Sequence, residues 1–524
     1  MAIIVCPQPL AAEIGLDVMR RGGNAVDAAV TCAFVQGVID PQMCGLGGCG
    51  AMLVHSPQAG DALFEFYGTA GSRVREDQWE SIFIREAADR YGYVLEGWVN
   101  DVGYQSVAVP GTVAGLYAAL TRFGTISWEE AIEPAIPLAR DGFPVTGYVH
   151  GFWTVDYGPD VVPNAQRIQA TPAAKGIYTH DGSLYAIGEV MVQSDLAHTL
   201  EHLAREGPDV FYKGEIADQI AADFESNGGF VTKEDLEAYT VNVTEPIRGT
   251  YRGLRVVAAG PPAGGLTLLQ MLNFLEGFDL GSHGWPSTEA ARVLVEAMAW
   301  AVADRELHIA DPRFVDIPTG ALSDKHYAAT ARQVIADRTD TTHVCVVDDG
   351  GNAVSLSHTL GSSSGVVTPG LGFGYNDYMN CFDPRPRRPN SIRPGKTRVT
   401  MMTPTMVFER NKLRVCIGAP GGTKIVTAIL QVLVNVLDHQ MSPVEAVSAP
   451  RVDYQGDVVQ AEARVPRTVC EGLERLGYRV NRRTLNYDSY FARPQLIVRE
   501  PDGYLSGASD PRKDGGAAYD TQTA

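Results

Sequence analysis

Apolar positions early in the chain fall into helix-like runs broken by glycine. Residues 8–38 read as a helix, a break at "RRGGN" (20–24) and a second, Ala/Val-rich helix. "GLGGCGAMLVHS" (45–56) passes from glycines into a strand, and "SVAVPGTVAGLYAALTRFG" (106–124) is a strand end, a Pro-Gly turn and a helix. In "SDLAHTLEHLAREG" (194–207) a Ser/Asp start and a Gly stop bracket a helix. "TYRGLRVVAAGPPAGGLTLLQMLNFLEG" (250–277) predicts a strand, a Gly/Pro loop and a helix.

The second half is richer in strands. "HVCVVDDGGNAVSLSHTL" (343–360) is the clearest hairpin, its arms joined by a turn-type DDGG. Two strands with a turn near Asn411 follow in "TPTMVFERNKLRVCIGAPGG", and then the helix "TKIVTAILQVLVNVLDHQ". "DPRPRRPNSIRPGK" (383–396) has four prolines and no periodicity, so it predicts a loop. The tail from about Gly507 is rich in Gly, Ala and Asp and predicts loose order. Helices cluster early and hairpins late, which favours a layered α/β (α+β) protein over a doubly wound parallel sheet.

Composition narrows the function classes. Hydrophobic content of 45% and charged content of 20% over 524 residues are those of a globular protein of one large or two to three ordinary domains. A net charge of −19 offers no basic stripe for a nucleic-acid backbone. The eight cysteines include no CxxC pair, so no zinc site or redox dithiol is expected, and no cofactor either. "MAIIVCPQPL" lacks the basic start and apolar core of an export signal, and no apolar run reaches a membrane-spanning length. A cytoplasmic location is the expectation, or an exported one if the start has been trimmed.

Three motifs match familiar patterns without their context. "GLGGCG" (45–50) fits GxGxxG, but a helix precedes it and a strand follows, the reverse of a dinucleotide site; close backbone packing accounts better for its glycines. "HTLEH" (198–202) fits an inverted zinc-peptidase pattern, yet helical spacing sets His198 and His202 opposite the Leu196, Leu200 and Leu203 stripe, towards solvent. "GAPGGTK" (418–424) lacks the GK[ST] ending of a P-loop. Its strand–GlyGly–helix order still presents amides that can stabilise an anion.

The chemistry-bearing candidate is Thr341, at the head of the hairpin and directly after Asp340. A hydroxyl beside a free amine is a self-contained nucleophile and base, and such an amine titrates near roughly 7.7–8.0. Cleavage at Asp340-Thr341 would create that amine. If Asp349, Gly350 and Gly351 close the hairpin loop, Asp348 pairs with Asn352 and Thr341 faces Thr359; a slip of one would put His358 there. Gly421 and Gly422 supply amides for an oxyanion hole.

The chain resembles the gamma-glutamyltransferase (gamma-glutamyltranspeptidase) family of N-terminal nucleophile hydrolases. The resemblance is carried by "RGGNAVDAAV" (21–30), "VPGTVAGL" (109–116), "GGFVTKEDLEAY" (228–239), "PPAGG" (261–265), "ADRELHIADPRFVDIP" (303–318), the Thr341 hairpin and "GAPGG" (418–422). It implies a four-layer αββα sandwich and self-cleavage into segments 1–340 and 341–524, which stay together as an intertwined heterodimer. It implies Thr341 as nucleophile, Thr359 as its hydrogen-bonding partner, and Gly421 and Gly422 at the oxyanion.

The substrate-reading positions depart from the family pattern. The family's asparagine two residues beyond Thr359 is Gly361 here; its ammonium-binding aspartate, in the segment with Tyr378 and Asn380, is Cys381; its carboxylate-binding serine pair is Thr400-Met401. Its arginine falls at Glu76, with Arg73 and Arg75 close enough to substitute. The lid segment between Cys381 and Thr400 is about a dozen residues shorter than the resemblance implies. Two substrate classes stay open: gamma-glutamyl amides, hydrolysed or transferred, and amides of small or glutaryl-type acids such as oxamate. A non-catalytic scaffold keeping the fold is the alternative of another class.

Overall fold

The computed structural model describes residues 1–87, 92–155, 158, 161–330 and 342–520, without the side chains of 330 and 342. Asp340 and Thr341, the expected cleavage site and nucleophile, lie outside the described residues.

The break at "RRGGN" is a capped helix junction. Gly22 takes a φ of 100°, and the Asn24 side chain accepts from the amides of Val26 and Asp27, while Asp27 accepts from the Asn24 amide at 2.7 Å. This reciprocal cap ends helix α1 (Pro9–Arg20) and starts α2 (Ala25–Ile39). Helix α3 (Thr112–Phe123) packs beside them, and all three cover one face of a seven-stranded antiparallel sheet.

That sheet contains β1 (Ile3–Cys6), β2 (Cys49–Ser56), β3 (Gly60–Phe66) and β4 (Asn242–Thr244). A second sheet begins with β5 (Ile247–Tyr251) and β6 (Leu254–Ala258). The hairpin around 341–360 supplies β7 (Thr342–Val347) and β8 (Ala353–Thr359) to the first sheet. Strands β9 (Thr405–Glu409), β10 (Lys412–Gly418), β11 (Gln495–Arg499) and β12 (Leu505–Ser509) complete the second, and β13 (Gly516–Tyr519) returns to the first. The strand orders are β4-β3-β2-β8-β7-β1-β13 and β5-β6-β9-β10-β11-β12. Helices α4 (Gly265–Leu275), α5 (Thr288–His308) and α6 (Lys424–Leu437) cover the outer face of the second sheet.

Side-chain alternation makes this a four-layer αββα sandwich, the expected architecture. Val344, Val346, Val354 and Leu356 point from β7 and β8 into the first helical layer. Cys345, Val347 and Ala353 point the other way, against Cys416, Ile497 and Met406 of the second sheet. Helix α2 is buried on nearly every side because it lies between the sheet and further helices, so its apolar residues run all round rather than along one stripe. Each fully buried Val, Leu or Ile in these layers contributes about 1.5–3 kcal/mol.

Two expectations are corrected. The single strand expected within 250–260 is half of a hairpin: Arg252 and Gly253 take φ of 51° and 78°, and β5 pairs with β6 through Tyr251 opposite Leu254. The Arg-Gly pair is not a common turn signal, so the turn was hidden. The tail from Gly507 is ordered through residue 520, because β13 completes the open edge of β1 and because Lys513 is buried against Asp40 at 3.0 Å.

The sheet order interleaves the two halves of the chain. Strands β7 and β8 sit between β1 and β2, so residues 342–519 cannot leave without breaking the first sheet.

Candidate active site

The register of the β7–β8 hairpin matches the count from the sequence: Thr342 lies opposite His358 and Val347 opposite Ala353. The Asp348 amide donates to the Asn352 carbonyl at 3.1 Å, and Gly351 closes the loop with a φ of 82°. Alternation then turns His343, Ser355, Ser357 and Thr359 to the face between the sheets. His343 Nδ1 lies 2.8 Å from Ser357 Oγ and its Nε2 3.1 Å from Ser355 Oγ, while Ser355 donates to the Ile417 carbonyl at 3.1 Å. Burial without a charged partner pulls the His343 pKa down to about 3, so this imidazole is neutral.

The strand ends where glycines let other segments approach. A Cβ on Gly48 would stand 2.6 Å from the Thr359 carbonyl oxygen, and one on Gly47 2.4 Å from that of Gly374. These are the glycines of "GLGGCG", and their role is close packing behind Thr359. The order helix α2, turn, strand β2 rules out the dinucleotide fingerprint.

The loop after Thr359 is held by buried charge. Thr359 Oγ1 accepts from the Gly361 amide at 2.8 Å, and Asp377 Oδ2 accepts from the Ser362 amide and from Asn380 Nδ2, both at 3.1 Å. Arg167, 66 residues from Asp101, pairs with it at 2.7 Å and approaches Asp377 at 3.5 Å, while donating to the Ser363 carbonyl at 2.8 Å. Burial pushes the Asp377 pKa up to about 7 against the pull of Arg167. Sequence reasoning missed this Arg167–Asp101–Asp377 group; its members carry no motif.

The Gly421-Gly422 turn joins β10 to helix α6 as expected. Both residues have positive φ, 140° and 61°, and a Cβ on Gly421 would lie 2.1 Å from Ala492 Cβ. Gly418, at the end of β10, packs on the His343 ring: a Cβ there would fall 2.1 Å from it. The turn is thereby set against the β7–β8 end of the first sheet. Among the described residues neither the Gly421 nor the Gly422 amide donates a hydrogen bond.

The next residue, Thr423, lines a cavity of about 230 Å³ whose wall includes Cys381, Asn390, Arg398 and Met401. The "DPRPRRPNSIRPGK" loop forms one side of it. Asn390 braces that loop, donating to the Cys381 carbonyl at 2.7 Å and accepting from the Val399 amide at 3.0 Å.

The expected substrate contacts divide. Cys381 lines the cavity. Tyr378 is buried beneath Arg398, whose guanidinium lies 4.1 Å from its ring centroid. The Asn380 amide is taken by Asp377, and the Thr400 hydroxyl accepts from the Met402 amide at 3.4 Å. Gly361, φ 72°, closes the Thr359 loop. Arg73 and Arg75 pair with Glu225 and Asp77, each at 3.1 Å, with side chains 45% and 72% exposed, and neither lines this cavity. The chain turns outward after Gly71, which packs against Phe230, so both arginines find acids at the surface. Glu76 instead anchors the loop, accepting from the Arg387 amide at 2.9 Å. The cavity's arginines are Arg305, Arg385, Arg388 and Arg398.

On the helix Ser194–Glu206, His198 is exposed and His202 half-buried, while Leu196, Leu200 and Leu203 are in the core. No group of three His, Cys, Asp or Glu suited to a metal occurs among the described residues, and no described helix is long and apolar enough to cross a membrane.

Two stacked antiparallel sheets between helical layers, with the hairpin strands at the centre of one, define an N-terminal nucleophile hydrolase. The gamma-glutamyltranspeptidase family model matches residues 11–520, and the chain belongs to that family. It is 37% identical over 530 residues to the acylase ACY 1 proenzyme of Pseudomonas sp. (strain V22), covering 98% of this chain and 92% of the relative. It is 35% identical to the glutathione hydrolase proenzyme of Escherichia coli (strain K12), over 96% of this chain and 89% of that one. Among solved structures, cephalosporin acylase from Bacillus halodurans superposes with a TM-score of 0.88 at 28% identity, covering 99% of this chain and 95% of that one.

Proposed function

We propose that this protein is a self-processing amidohydrolase that removes a carboxylate-bearing acyl group from an amide. The chain breaks between Asp340 and Thr341, and the halves 1–340 and 341–524 stay joined by the interleaved sheet. The Thr341 hydroxyl attacks the substrate carbonyl, and its own amine takes the proton and passes it to the leaving amine. The Gly421 and Gly422 amides receive the oxyanion, and Thr359 orients the nucleophile. Water then attacks the threonine ester, the amine again serving as base, and the acid departs. In self-processing the Thr341 hydroxyl attacks the Asp340 carbonyl, the peptide nitrogen leaves as the new amine and water cleaves the resulting ester; the proenzyme names of two relatives support it.

The observation that carries this reading is the Gly421-Gly422 turn, whose two amides make no hydrogen bond to a described residue beside a cavity that Thr423 enters. Gamma-glutamyl hydrolysis or transfer is the second reading, supported by the glutathione hydrolase name of the Escherichia coli relative. It is disfavoured by Gly361 and Cys381, which offer no anion to a substrate ammonium.

Intact-mass analysis and a denaturing gel test the proposal. Two fragments, the second beginning at Thr341, are expected for the wild type and one uncut chain for Thr341→Ala. A single persistent 56 kDa chain in active wild-type material would overturn it, and in inactive material would favour a scaffold. Ammonia or amine release from oxamate, a glutaryl anilide and a gamma-glutamyl anilide separates the substrate classes.

A further inference from the structure

A threonine just before a helix ordinarily caps it, and this chain follows the rule elsewhere. Thr146, Thr171 and Thr232 precede their helices in extended backbone, with ψ of 162°, 154° and 170°, and each hydroxyl accepts from the amide three residues on. Thr423, the residue before α6, does not. Its φ of −62° and ψ of −29° are helical, and its hydroxyl caps no amide. The cause is the glycine turn. The Gly422 carbonyl already accepts from the Ile425 amide at 3.0 Å, so the first turn begins one residue early and Thr423 lies within it.

Inside a helix a threonine commonly returns its hydroxyl to a carbonyl three or four residues back, as Thr427 does to Lys424 at 3.1 Å. Behind Thr423 stand Gly421 and Gly422 with positive φ, so the chain there is not helical. The hydroxyl consequently has no partner among the described residues, although Thr423 is only 7% exposed. An unpaired buried hydroxyl costs stability, and its retention calls for a partner that arrives later.

The cavity can deliver one, because Thr423 is part of its wall. The charged groups of that wall are already engaged. Arg385 pairs with Asp383 and Glu86, and Arg388 stands 3.7 Å from Asp383. Arg398 donates to the Val399 carbonyl, Arg305 donates to Met401 Sδ, and Glu306 has a partner of its own. Thr423 instead adds a neutral donor to the Gly421 and Gly422 amides, which also lack an acceptor among the described residues. The three donors come from consecutive residues of one turn, and a hydroxyl proton rotates to suit its acceptor.

We propose that Thr423 is a further catalytic residue, whose hydroxyl donates a third hydrogen bond to the oxyanion beside the Gly421 and Gly422 amides. This rests on the reading of the cavity as the site of Thr341 chemistry. The proton stays on Thr423 throughout, and no covalent bond to it forms or breaks. A donor that gains its acceptor as negative charge develops acts on kcat more than on KM. The oxyanion comes from the carbonyl that every amide carries, so the effect is independent of the acyl chain.

Thr423→Val, which keeps the branched shape, and Thr423→Ser, which keeps the hydroxyl, test it on cleaved protein. For each of the three amides named above that the wild type turns over, the valine variant should lose kcat on the order of 100-fold, by a common factor. KM should stay within about 3-fold, and serine should keep most of kcat. The thermal midpoint of the valine variant should equal or exceed that of the wild type, because a methyl replaces an unpaired hydroxyl. A lowered midpoint alongside the lost turnover would make Thr423 a structural residue and overturn the proposal. A loss confined to one amide overturns it too, since that marks a contact with the acyl chain. Thr423→Ala stands in should valine not fold. An uncut or inactive wild type overturns the reading of the site and this inference with it. A cut, active wild type whose kcat survives Thr423→Val overturns this inference alone.

Discussion

The hydroxyl oxygen of Thr359 accepts a hydrogen bond from the amide of Gly361 at 2.8 Å, so the residue at the end of β8 is oriented by the turn that follows it. One lone pair is thereby occupied, and the hydroxyl hydrogen can be donated elsewhere on the inter-sheet face. The turn in turn is pinned by Asp377 and Arg167, which links the orientation of one hydroxyl to a buried charge group.

Replacing Thr359 with valine keeps the shape and removes the hydroxyl. Self-cleavage and amide turnover should both slow by about 10–100-fold while the melting temperature shifts little; serine should retain most of both. A time course of fragment appearance on a denaturing gel, beside kcat, checks this. Unchanged kinetics in the valine variant would remove Thr359 from the mechanism.

Gly421→Ala meets two obstacles, a φ of 140° and a contact 2.1 Å from Ala492 Cβ. Overpacking of this kind costs about 1–3 kcal/mol. Displacement of the amides should lower kcat by about 100–1,000-fold. Because that Cβ would also lie 2.2 Å from the Ala492 Cα, Ala492→Gly in the same chain should return little stability or activity, read by urea unfolding and kcat.

His343 and His358 are both buried, and burial pulls both pKa values down to about 3. In the unfolded chain they take up protons near pH 6.5, so below that pH the unfolded state binds more protons than the native one. The stability that comes from keeping them neutral is fully present above pH 6.5 and is lost as the pH falls towards 3. The slope is about 1.4 kcal/mol per histidine per pH unit. His358→Gln preserves donation to Gln36 Oε1, a 2.8 Å contact in the native chain, and should reduce the slope by one proton between pH 6 and 4. Urea titrations at several pH values measure it, and an unchanged slope would contradict the assignment.

Lys513 and Asp40 form a fully buried pair 473 residues apart in sequence. Asp40 also accepts from Gln8 at 2.6 Å, and Gln36 connects Gln8 to His358, so the tail is tied to the strand that ends at Thr359. Lys513→Met leaves a buried carboxylate without its cation and should destabilise the protein by about 3–5 kcal/mol. The double variant Lys513→Met/Asp40→Asn should recover most of that loss, as thermal unfolding would show.

The helix break at Gly22–Asn24, the register of β7 against β8 and the Gly421-Gly422 turn could all be read from residues close together in sequence. Apolar periodicity, capping and turn stereochemistry act over a few residues, and a glycine with positive φ marks its place wherever the chain goes. The family motifs likewise lay in the linear order. Tertiary structure alone decided which charged groups meet: Arg167 with Asp101 and Asp377, Lys513 with Asp40, and Arg305 beside Arg398 in the cavity while Arg73 and Arg75 turn to solvent. The reason is physical. Charge pairing and burial depend on which distant segments the two sheets bring into contact, and no local pattern records that choice.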